Sequence, residues 1–157
     1  MDANRILPDL QSALLCEHVR REANGNFILI GILSGVATPQ LPITAPQLCV
    51  FTRWVRGRGE FTEQVRLLDT DGTTEIRKCE TQFRLQDPAH PVSNMTIFPQ
   101  FEFKQQGVYQ VEVAVDGVVK SRFPVPVVLV KPQGQPQPPA DPDAPKENVG
   151  ADEAPEA

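Results

Sequence analysis

Histidine is scarce in this chain: His18 and His90 are the only two among 157 residues. Nucleophilic catalysis sets a Cys, Ser or Thr beside a base that takes its proton, and histidine is the usual base near neutral pH. The material for such a pair is thin, and no enzyme is expected. Cysteine is sparse as well. Cys16, Cys49 and Cys79 form an odd set without close spacing, which argues against a disulfide framework and against the paired ligands of a structural zinc site. Each lies inside an apolar strand pattern, as buried thiols in a reducing cytoplasm do.

Other absences narrow the field further. No apolar run is long enough to cross a membrane, and the first ten residues, MDANRILPDL, lack the charged start and apolar stretch of a signal peptide. No glycine-rich phosphate loop is present, because GRGE at 57–60 lacks the lysine and the strand-to-helix setting. The net charge of −5 sits mostly after residue 130, leaving the preceding part near neutral. That balance argues against nucleic-acid binding by phosphate neutralisation. No cofactor is implied.

What the chain does contain is alternation with period two. In GVYQVEVAVDGVVKSRFPVPVVLV, residues 107–130, two alternating runs flank Asp116-Gly117, a dipeptide suited to a tight type I′ reversal. Tyr109, Val111, Val113 and Val115 form the buried face, with Gln110 and Glu112 directed to water. The Gly107-Val108-Tyr109 step is similar to a tyrosine corner, in which the phenol bonds a backbone group upstream. Gly107, Tyr109, Gly117 and Trp54 are the structural positions of the pattern. Trp54 shares a face with Leu48 and Val50, where immunoglobulin-like domains bury a tryptophan.

The rest of residues 10–130 reads as further strands. FILIGI at 27–32 is apolar on both sides, so both sides need cover. Residues 34–46 read as a loop crossing between sheets, and 87–92 as a proline-stiffened loop. Phe61, Val65 and Leu67 alternate with Thr62, Gln64 and Arg66. In NMTIFPQFEF, Met95, Ile97, Phe101 and Phe103 share a face, and Pro99 requires an edge strand or a bulge. Turn signals every eight to twelve residues predict an all-β, immunoglobulin-like antiparallel sandwich of about seven or eight strands. The organisation expected is an N-terminal arm at 1–9, the domain at 10–130 and a disordered, proline-rich acidic tail at 131–157.

Residues 13–36, ALLCEHVRREANGNFILIGILSGV, together with Gly107-Val108-Tyr109 and its hairpin, resemble a family of small uncharacterised bacterial proteins. The likeness covers most of residues 10–130. It implies a bacterial cytoplasmic β-domain and carries over no catalytic residue.

Candidate chemistry is correspondingly slight. Cys16 and His18, two apart on a strand, would need Cys49 or Cys79 to complete a metal site. Asp69 and Asp71 before Gly72 resemble a fragment of a calcium loop but lack its other ligands, and turn chemistry accounts for them. They also fall at the opposite end of the strands from Asp116. Arg53, Arg56, Arg58 and Arg66 cluster in sequence around Trp54, as a surface for an acidic partner or as solvated charges paired with Glu60 and Glu63. The expectation is a non-catalytic module that binds a protein partner or a second copy, with no nucleic acid, membrane or metal. Ile28, Ile30, Ile32, Arg53, Arg56 and Arg58 are its candidate contacts. The alternative is a small-ligand or ion-binding sandwich using the end loops 34–46 and 87–92.

Overall fold

The computed structural model describes residues 4–132, and the predicted acidic tail lies almost wholly outside them. Nine strands run in chain order: β1 Asp9–Arg21, β2 Phe27–Ile32, β3 Val36–Thr38, β4 Ile43–Val55, β5 Gly59–Leu68, β6 Glu75–Leu85, β7 Val92–Phe103, β8 Gly107–Val115 and β9 Val118–Leu129. They form two sheets, ordered β2-β1-β4-β7 and β3-β9-β8-β5-β6. The extra strand is β3, inside the stretch expected to be loop. It runs parallel to β9, so the fold is not wholly antiparallel. The chain crosses between the sheets at each end of β3.

Alternation places the core. Leu48, Val50 and Trp54 of β4 meet Phe61, Val65 and Leu67 of β5 and Val111, Val113 and Val115 of β8 between the sheets. Trp54 is wholly buried and stacks on Phe83, with ring centroids 5.6 Å apart. The Asp116-Gly117 reversal has both residues at positive φ, 46° and 80°, as the type I′ geometry demands. The Tyr109 hydroxyl donates to the Gln105 carbonyl at 2.9 Å, the upstream bond expected of the corner.

Three expectations about facing need correction. In β7 the buried residues are Asn94, Thr96, Phe98, Phe101 and Phe103, while Met95 and Ile97 are exposed. Gln100, at φ 50° next to Pro99, slips the alternation by one residue, so Phe101 and Phe103 follow a different phase from Met95 and Ile97. Glu112 is buried, because β8 is a central strand whose outer side is roofed by Arg66 and Arg122. Glu63 also points into the core rather than pairing with arginines.

The β1–β2 hairpin bends back on its own sheet. Phe27 is registered with Arg21, and Phe51 with Leu14, seven residues earlier on β1. On a straight strand that separation is about 23 Å. The two rings nevertheless touch, with centroids 5.4 Å apart, so the distal half of the hairpin curls over the outer face of β4. Gly31, at φ 67°, faces the Glu17 side chain where the curl begins. A Cβ there would lie 2.7 Å from Glu17 Oε2.

Candidate functional site

The polar groups of this molecule are mostly engaged in holding it together. Glu63 lies between the sheets, where its Oε2 accepts from the Thr52 hydroxyl at 2.6 Å, from Asn94 Nδ2 at 3.2 Å and from the Trp54 indole N–H. Its Oε1 and the Thr96 hydroxyl are buried with no protein partner. The alternation of β5 pointed Glu63 inward with Phe61 and Val65, and sequence reasoning passed over it because a carboxylate was presumed to face water.

Glu112 has a different solution to the same problem. Burial alone raises its pKa, but Arg122 and Arg66, bonded to its two oxygens, hold the carboxyl below the ordinary range. Arg66 also reaches Glu75 at 3.4 Å. Around Glu112 the outer face of the five-stranded sheet is thus charged and internally paired.

The cysteine and histidine candidates do not converge on an ion. Cys16 sits directly opposite Cys49 in the β1–β4 register, both fully buried. Their Sγ atoms approach backbone carbonyls, Cys49 O at 3.6 Å and Glu17 O at 3.5 Å. Burial, with the neighbouring Cys49, pushes the Cys16 thiol up to about 11. His18 Nδ1 instead meets Gln47 Nε2 at 2.8 Å. Among the described residues no group of three His, Cys, Asp or Glu side chains is placed to hold a metal. Asp71 caps its own turn: bonds from the Thr74 hydroxyl and from the N–H groups of Thr74 and Thr73 bring its carboxyl down to about 2. Asp116 serves the other end, accepting from Thr62 N at 2.9 Å and pairing with Arg5 of the N-terminal arm.

The end loops proposed as one ligand site lie apart. Ile43 pairs with Phe103 at one end of β4, and Trp54 with Val92 at the other. The 34–46 stretch leads into the first end and the 87–92 loop into the second, separated by a strand of 13 residues, about 40 Å long. They cannot share a ligand.

The arginine cluster disperses in the same way. Trp54 is interior, Arg66 belongs to the Glu112 pair, and Arg56 Nε donates to Asp9 at 2.9 Å. Arg58 joins Ile6 of the arm through backbone bonds. Arg53 is exposed on the outer face of β4, opposite Ser12 and Ser93.

Exposed apolar side chains lie on both sheets: on the five-stranded one Ile76, Val108, Val118, Val119, Val128 and Leu129 are open, and on the four-stranded one they are concentrated in β2 and β7. Ile28, Ile30 and Ile32 of β2 are 42, 38 and 56 % exposed, and Met95 and Ile97 of β7 are also open to solvent. The doubly apolar β2 is therefore covered once, by Phe51 under Phe27, and not twice. Gly107 lies against Thr70 at the far end, a structural contact outside this surface. No helix among the described residues is long and apolar enough to cross a membrane.

No curated protein matches the chain. Residues 11–128, nearly all of the two sheets, match the model of a family of unknown function (DUF6941), and the chain belongs to that family.

Proposed function

We propose that this domain is a non-catalytic protein-interaction module, docking a partner or a second copy through β2. The observation that carries the reading is the row Ile28, Ile30 and Ile32, exposed on an edge strand with no charge and no proline. Folded proteins protect sheet edges. Here β7 carries Pro99 and the left-handed Gln100, β6 carries Arg77, Lys78, Glu80 and Arg84, and β3 is three residues long. Edge strand β2 has no charge and no proline, its one irregularity being the left-handed Gly31, and its stretch Phe27–Ile30 is open to pairing.

The immunoglobulin-like reading of the sandwich draws support from the Tyr109–Gln105 bond and the buried Trp54, which packs on Phe83 where such domains place a disulfide. A reducing, cytoplasmic setting agrees with three free thiols. The test is Ile30→Lys in the full chain. Association measured by light scattering and by co-purification should be lost, with an unfolding free energy within about 0.5 kcal/mol of wild type, as for a surface change. Unfolding of the variant would make Ile30 ordinary core, and unchanged association would remove β2 from the interface.

A further inference from the structure

The curl of the β1–β2 hairpin leaves a groove between its tip and the start of β7, a concavity of about 800 Å³. Its floor is apolar, formed by Phe27, Leu29 and Phe51, and its rim carries Arg21, Arg53 and Glu22. The Arg21 guanidinium lies 5.5 Å from the Phe27 ring centre. Arg5, Arg56, Arg66 and Arg122 have carboxylate partners; among the described residues Arg21 and Arg53 have none, like Arg20, Arg58, Arg77 and Arg84, but these two line the same groove. Glu22 Oε2 is occupied by Asn24 Nδ2 at 3.3 Å. Two arginines without a carboxylate partner and one acid thus line a single groove beside two aromatic rings.

We infer that this groove seats an extended peptide of a partner protein in which an acidic residue adjoins an aromatic or aliphatic one. The carboxylate lies between Arg21 and Arg53, where charge-assisted bonds to guanidinium hold it. Its apolar neighbour rests on Phe27, Leu29 and Phe51. Glu22 repels a second acid at its end of the groove and so sets the peptide's direction. The inference rests on the reading of the domain as a protein binder and supplies that partner's chemistry. The volume suits a short peptide segment, and the near-neutral body of the domain favours peptide over a polyanionic nucleic acid.

Selection from a phage-displayed random peptide library on the immobilised full chain tests it. Enriched peptides are synthesised and titrated by fluorescence anisotropy against the wild-type, R21E, R53E and I30K chains, with a single-stranded RNA 12-mer as a second probe. The expected result is enrichment of an acid beside an aromatic or aliphatic residue, with affinity falling about tenfold or more in R21E and R53E. I30K should bind the peptide as wild type does, so a failure of the β2 interface leaves the groove standing. Both arginines are exposed, so folding should survive reversal, and Arg53→Gln replaces any variant that does not fold. No enrichment, equal binding by R53E, or preferential binding of the RNA through Arg53 would each overturn the assignment.

Discussion

The Thr52 hydroxyl on one sheet donates to the Glu63 carboxylate on the other at 2.6 Å, in an interior where no Lys, Arg or His is buried among the described residues. Trp54 and Asn94 donate to the same oxygen. Removing an acceptor shared by three buried donors leaves each of them without its bond, whereas an amide of the same shape keeps one accepting oxygen. Glu63→Ala is therefore expected to destabilise the domain by about 3 kcal/mol, and Glu63→Gln by less. Urea midpoints of the two variants decide it. An alanine variant as stable as wild type would mean that the cost of burying the acid cancels its bonds.

Glu112 links the outer face to pH. Its folded pKa is lowered despite burial, by Arg122 and Arg66. A depressed carboxyl contributes stability that is complete above the unfolded value of about 4.3 and is lost as pH falls through the folded value. Wild-type melting temperature should drop more steeply below pH about 4.5 than that of Glu112→Gln, which is less stable at pH 7. Parallel acid limbs for the two proteins would show that the pair contributes nothing through this route.

Thiol reactivity should follow burial. Cys16 and Cys49 are fully buried, with thiols pushed up chiefly by burial, and Cys79 is half-buried on edge strand β6. The thiolate is the reactive form. At pH 8 a disulfide reagent should titrate one thiol per native chain and three in denaturant, with Cys79 identified by mass spectrometry. Fast reaction of Cys16 in the native protein would show that the hairpin opens over it.

Tyr109→Phe removes the donor to Gln105 while keeping the ring against Phe103, 5.2 Å away. The expected loss is about 1 kcal/mol, typical of one hydrogen bond. Hydrogen exchange at the turn around Gln105 should rise with it. An unchanged exchange rate there would mean that the turn is held by other contacts.

Much of this fold is legible in the sequence, because side-chain facing in a strand is a local, period-two property. The β8–β9 hairpin, the inward set of β5 and the burial of Trp54 follow from it directly. Even Glu63 stands on the inward side of that alternation. The phase of β7 is less legible: Pro99 marks an edge or a bulge, but not that the next residue, left-handed Gln100, changes the parity of all that follow. Of the candidate contacts, Ile28, Ile30 and Ile32 are exposed, Arg53 and Arg58 have exposed side chains without a carboxylate partner among the described residues, and Arg56 is paired with Asp9 of β1.

By itself the sequence determined that this chain is β throughout its folded part, where it reverses at Asp116-Gly117, and which side chains could be apolar neighbours. Only the tertiary structure decided which of those apolar sides is covered. Cover is a non-local property: it depends on the curl of the β1–β2 hairpin onto Phe51, on which strand lies at a sheet edge, and on which loops share an end. Pairs such as Phe27 with Phe51 or Arg21 with Arg53 are set by that geometry, and distance along the chain carries no record of it.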